Sequence, residues 1–112
     1  MYAQLTRMRV PIGQMDVLRC MIEDDYLPVV RTRPGFVAAY LLEHVDDADA
    51  AEMIQFWDTH ASAESFARTG LLASSIQSLA ARLHGLQIQR QGYIVRTAIS
   101  ELPLREDVIS LS

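Results

Sequence analysis

The sequence predicts an α+β protein of the ferredoxin-like, split βαβ kind, with a four-stranded antiparallel sheet and elements in the order strand, helix, strand, strand, helix, strand. Three observations carry this. Residues 2–10 alternate with a period of two. The apolar spacing becomes helical after Gly13. The same change of period recurs at Phe56-Trp57-Asp58-Thr59, where a short apolar strand ends on the only tryptophan and turns into an alanine-rich helix.

The elements follow in order. Along residues 2–10, Tyr2, Gln4, Thr6 and Met8 share one side of a strand, and Ala3, Leu5, Arg7 and Arg9 the other. Pro11 and Gly13 end it. Met15, Leu18, Ile22, Tyr26, Val29 and Val30 then fall on one helical stripe. Pro28 lies inside that stripe and lacks an amide donor, so a kink or restart is expected there, before Arg33-Pro34-Gly35 stops the helix. Residues 36–45 and 51–58 form two strands joined through Asp46-Asp47-Ala48-Asp49 as a hairpin. Thr59 or Asp58 caps the next helix, which runs to Gly70. Leu72, Ile76, Leu79 and Leu83 mark another helical stripe ending at Gly85, and residues 88–99 make the fourth strand. Residues 101–112 form a C-terminal tail or docking arm beyond a domain of residues 1–100.

Composition narrows the function. Half of the 112 residues are hydrophobic, and the formal charge is -4. This suits one globular domain and argues against a nucleic-acid partner, which needs a basic face. No apolar run approaches the ~20 residues of a membrane helix. The N-terminus shows no basic-then-apolar leader, and Cys20 is the only cysteine, so a cytoplasmic protein without an internal disulfide is expected. Helices cover one face of such a sheet. The other face is expected to carry Tyr2, Phe36 or Tyr40, and Trp57 or Phe56, too apolar to leave in water. A second copy of the chain is the simplest cover, so a homodimer is expected.

Candidate chemistry is sparse. Trp57 shares a face with Gln55 and Met53, and either stacks on a planar ligand or fills the dimer core. Gln4, Thr6 and Gln55 are polar on faces expected to be enclosed, where they bond one another or orient a ligand. His44 ends the second strand and His60 begins the helix after the third; a hairpin bringing them to one rim makes them an acid–base candidate, although their spacing matches no ligand motif. His84 beside Gly85 suits a helix C-terminus. Asp46, Asp47 and Asp49 lack the glycine and glutamate of a calcium loop and read as a solvated turn. Arg7, Arg9, Arg90 and Arg96 serve either ion pairs or an anionic substrate. Cys20 reads as an inert buried thiol. No metal, nucleotide or nucleophile motif is present.

The segment Arg33-Pro34-Gly35-Phe36, the strand end Phe56-Trp57-Asp58 and the later Phe66, in that order, give the chain its resemblance to the antibiotic biosynthesis monooxygenase family of dimeric α+β barrel proteins. The resemblance covers residues 2–99. It implies a two-subunit barrel with a ligand-sized cavity per subunit. In some members it implies oxygenation of aromatic substrates without metal or flavin, and in others haem degradation. Quinone-forming members have an asparagine where Met53 stands and a helix tyrosine near Phe66, while their strand tryptophan matches Trp57. Haem-degrading members have an asparagine at Thr6, a tryptophan near Ala67 and a histidine near Ser75 or Gln77, so the match points away from haem. The expectation is a cofactor-independent monooxygenase acting on a small apolar or aromatic metabolite. Its catalytic candidates are Trp57, Gln55, His60 and His44, and its ligand-binding candidates are Tyr2, Gln4, Thr6, Tyr40, Trp57 and Phe66. Two alternatives are a binding or stress-response barrel without turnover, and a small-lactone isomerase using His44 and His60 as its acid–base pair.

Overall fold

The computed structural model describes residues 1–100; the expected tail at 101–112 lies outside them. The alternating segment is strand β1 (Tyr2–Arg9). The first helical stripe folds as α1 (Met15–Met21), a π turn (Ile22–Tyr26) and α2 (Leu27–Val30). The hairpin is β2 (Phe36–Glu43) and β3 (Ala50–Trp57), followed by α3 (His60–Arg68), α4 (Leu71–Arg82) and β4 (Gln87–Ile94). All neighbours in the sheet are antiparallel, in the order β2-β3-β1-β4. This is the expected ferredoxin-like arrangement. Among the described residues, no helix is long and apolar enough to cross a membrane.

Pro28 shapes the first helix differently from a simple kink. With no N–H and a ring that crowds the carbonyl four residues back, it disfavours a regular α turn before it. The chain widens instead: the Leu27 amide bonds the Ile22 carbonyl, five residues back, and α2 restarts with Pro28 in its first turn. Of the two cap candidates for α3, Thr59 takes the place: its Oγ1 accepts from the Ser62 amide at 3.1 Å. The fourth strand stops at Ile94, short of the expected residue 99. Ile94 pairs with Tyr2, the first residue of β1, and beyond it β1 offers only Met1, whose carbonyl takes the Val95 amide at 2.9 Å.

Register decides the two faces. Tyr2 pairs with Trp57 and Gln4 with Gln55, and these face the helices together with Met8, Met53, Phe36 and Leu41. Leu18, Ile22, Tyr26 and Val30 from the first helical segment and Phe66 from α3 complete this core. Here the structure corrects the sequence reading. Tyr2, Phe36 and Trp57 lie under the helices, and only Tyr40 and Phe56 stand on the opposite face, their rings 6.4 Å apart. By alternation Ala3, Leu5, Ala38, Leu42, Ile54 and Tyr93 join them there, leaving a broad apolar face with no helix over it. Cys20, expected to be buried, is exposed.

Gly35 ties the loop before β2 to the start of α3. Its φ is +83°, and a Cβ there would overlap Ser62 Oγ and Asp58 Oδ1, while its carbonyl accepts from the Asp58 amide at 2.8 Å. Gly13 has a similar φ of +79° but nothing within 4 Å of a Cβ. Gly13→Ala should therefore cost about 1–2 kcal/mol, the left-handed strain alone. Gly35→Ala should cost at least about 3 kcal/mol, because two fixed side chains must also move. Urea unfolding of both variants checks the difference; equal costs would contradict the close approach.

Candidate functional site

The sheet and helices do not close completely on one another. A cleft of about 140 Å³ opens between the β1 and β3 ends, the π turn and the α3–α4 pair. Tyr2 and Gln4 come from β1, Gln55 and Trp57 from β3, Tyr26 from the π turn, Arg90 from β4, and His60, Glu64 and Phe66 from α3. Beside it lies a more apolar cavity of about 40 Å³, lined by Met8, Ile22, Met53, Ile76, Leu79 and Ile88, with Thr6 and Ser75 as its aliphatic hydroxyls. Tyr26, Gln55, Leu72 and Arg90 line both spaces and form the seam between them. α4, which roofs this region, contributes Leu72, Ile76 and Leu79 but has no fully buried side chain.

Aromatic rings make one wall. Trp57, 2% exposed, stacks on Phe66 with centroids 5.5 Å apart and meets Phe36 edge-on at 5.6 Å. Tyr26 approaches Phe66 edge-on at 6.4 Å. The opposite side is polar. The Tyr2 hydroxyl donates to Gln4 Oε1 at 3.0 Å, and Gln4 Nε2 donates to the Gln91 carbonyl at 2.9 Å. Tyr2 lies so close over β4 that Gly92 is required beneath it, since a Cβ there would overlap the phenol oxygen. The imidazole of His60 sits against Tyr2 with centroids 4.6 Å apart, and its Nε2 is 3.4 Å from Glu64 Oε1.

At the centre is Gln55, the one fully buried polar side chain among the described residues, 4% exposed. With its amide oriented to satisfy these contacts, Oε1 accepts from the Tyr26 hydroxyl at 2.9 Å and Nε2 donates to Met53 Sδ at 3.5 Å. An amide carries two N–H donors, and the second has no partner among the described residues. Burial pushes the Tyr26 hydroxyl up to about 12, against an opposing pull from the Arg90 charge.

The expected residues thus divide. Tyr2, Gln4, Gln55, Trp57, His60 and Phe66 gather at the cleft, and Thr6 lies in the cavity beside it. Tyr40 stands on the other face of the sheet. His44 and His60 are not brought together. The hairpin pairs Glu43 with Ala51 at one end and Phe36 with Trp57 at the other, so the two histidines lie at opposite ends of β3, eight residues long; at ~3.3 Å per residue that is roughly 25 Å. Tyr26 emerges only here. Its place on the apolar stripe marks it as core, and the signal for more is that it is the stripe's one phenol, two positions before a proline.

No protein-family model matches the chain, and no curated protein matches it. Solved structures do. An assigned antibiotic biosynthesis monooxygenase of Deinococcus radiodurans superposes with a TM-score of 0.77 at 13% identity, over 92% of this chain and 100% of that one. SnoaB of Streptomyces nogalater, a cofactor-independent oxygenase, gives 0.70 at 22% identity over 89% and 97%. HapK of Hahella chejuensis gives 0.74 at 10% identity over 92% and 100%. The chain has the fold of the antibiotic biosynthesis monooxygenases, and at these identities the likeness is one of fold.

The Tyr26–Gln55 bond generates a pH prediction. A phenol near 10 when unfolded and about 12 when folded contributes stability that is complete below pH 10 and lost as pH rises towards 12. The loss should approach ~2–3 kcal/mol. Tyr26→Phe should lose about 1–2 kcal/mol at neutral pH, from the unpaired Gln55 oxygen, and should lack that alkaline component. Urea unfolding across pH 8 to 12 compares the two; parallel pH profiles would contradict the burial of the hydroxyl.

Proposed function

We propose that this chain, with the fold of the antibiotic biosynthesis monooxygenases, binds a small aromatic or apolar metabolite in the cleft and oxidises it with dioxygen without a bound cofactor. The supporting observation is the Trp57–Phe66 wall standing beside a buried amide that has a donor to spare. A planar ring stacked on that wall presents its oxygen to Gln55. As the substrate's activated CH2 gives up a proton, negative charge moves onto that oxygen, where a preplaced N–H is worth most. The carbanion supplies the electrons: CH2 becomes C=O, one atom of dioxygen becomes the carbonyl oxygen, and the other leaves as water with the two hydrogens of the CH2. His60, at the cleft mouth with Glu64 3.4 Å away, is the proton acceptor in this reading. Gln4 is committed to Tyr2 and Gln91 and takes no part in charge stabilisation.

The lactone-isomerase alternative loses its basis with the separation of His44 and His60. Binding without turnover keeps one specific support: Met53 and Phe66 bring neither the amide nor the hydroxyl that the quinone-forming relatives have at those places. Tyr26 answers this in part, since its hydroxyl reaches Gln55 from another element.

Anthrone tests the reading. Oxygen uptake should exceed the spontaneous rate and match quinone formation in equimolar amounts, and Trp57 emission should change saturably. Trp57→Phe should weaken binding severalfold while the fold survives, because most of the apolar volume is kept. Saturable emission changes without oxygen uptake would leave binding alone; unaltered emission would remove the cleft as the site.

We further propose that the uncovered sheet face, built of Leu5, Tyr40, Ile54, Phe56 and Tyr93, packs on a second copy of the chain. Light scattering at micromolar concentration should give twice the chain mass. Tyr40→Glu, which places a charge on that face beside Phe56, should give monomers; a monomeric native chain would refute the assembly.

A further inference from the structure

We infer that the cleft is shaped for an amphipathic acid, an apolar ring whose carboxylate is held by Arg90. This rests on the cleft being a ligand site and adds the class of ligand it selects.

Four arginines spend their charge on carboxylates. Arg7 meets Glu52 at 3.3 Å, and Arg9 meets Asp47 at 2.7 Å. Arg19 holds Asp16 at 2.8 Å and Glu43 at 2.6 Å, and Arg68 reaches Glu64 at 3.3 Å. Arg33, Arg82, Arg90 and Arg96 have no carboxylate within 4.0 Å among the described residues, and of these only Arg90, exposed on the edge strand β4, lines the two spaces. Its register partner is Thr6, so it projects from the helix-facing side of the sheet. Glu64, the one carboxylate on the cleft, is already spanned by His60 and Arg68. A cation without an anion therefore stands at the seam of the site.

The surroundings define the rest of the ligand. The Trp57–Phe66 wall of the cleft takes the ring, and past the seam Met53, Leu72, Ile76 and Ile88 offer no charge and suit a short apolar substituent. Ahead of it the cleft opens to solvent. A guanidinium binds a carboxylate through two parallel N–H donors, which fixes orientation as well as affinity. An anionic handle at Arg90 would thus set which edge of the ring meets Gln55, with binding energy from a non-reacting group spent on position. Arg90 acts here as a specificity-determining residue, apart from the proton and electron transfers.

Calorimetric titration with para-ethylbenzoate and its neutral amide, para-ethylbenzamide, tests this. The full chain should bind the acid about tenfold more tightly than the amide, and added salt should erode only the acid's affinity. Arg90→Gln should abolish the preference by weakening the acid far more than the amide, while Arg90→Lys should keep part of it. Equal affinities in the native chain, or a preference that survives Arg90→Gln, would overturn the inference and leave the cleft as a site for neutral rings. Binding of neither compound would overturn it together with the cleft reading.

Discussion

Tyr2 faces Trp57 across the two central strands, and the pleat distributes the rest of both strands from that pair. Every second residue of β1 and β3 is then committed to the helices: Gln4 with Gln55, Thr6 with Met53, Met8 with Ala51. A slip of one residue would turn Trp57 and Gln55 out of the cleft and put Ile54 and Phe56 in their place. The polar wall, the aromatic wall and the orientation of β4, which brings in Arg90 opposite Thr6, all depend on this register. What holds it is the core beneath it, because Trp57 packs at once on Phe36 and Phe66.

A second constraint comes from the buried amide. Gln55 is excluded from water on a sheet otherwise packed with apolar groups, and an unpaired amide there costs about 1–3 kcal/mol. Its oxygen is satisfied from the π turn, so the widened helix and the strand amide are parts of one arrangement. Pro28 makes the turn favourable, the turn presents Tyr26, and Tyr26 relieves Gln55. This chain of causes runs from the backbone chemistry of one imino acid to the polarity of the cleft floor.

The order of elements was legible because each change of hydrophobic period is accompanied by a residue that enforces it: Gly13, the Arg33-Pro34-Gly35 stop, the Thr59 cap and Gly70. The covered face of the sheet was not. Alternation reveals a face only when the other one is polar, and here both are apolar, with Met53 and Trp57 on one and Ile54 and Phe56 on the other. Tyr2 was therefore assigned to the uncovered side, and Tyr40, which does stand there, was grouped with it as a ligand contact. The two histidines were misplaced for a different reason. Residues flanking a hairpin turn meet each other, whereas His60 follows the far end of β3. Within the site, Trp57, Gln55, Tyr2 and Gln4 were legible as aromatic or polar residues in enclosed strands. Arg90 was legible only as one of four strand arginines open to ion pairs or an anionic substrate, and Tyr26 not at all, since its role comes from a helix defect that leaves no pattern along the chain.

Tyr2 and Gly92 share a single allotment of space. The phenol occupies the volume that any side chain at position 92 would need. The width of the cleft on its polar side is therefore set by the two positions jointly. Evolution or a designer can transfer bulk from one strand to the other there, enlarging position 92 only while shrinking position 2. Either change alone leaves a hole or an overlap; together they would redraw the ligand's outline with the backbone unchanged.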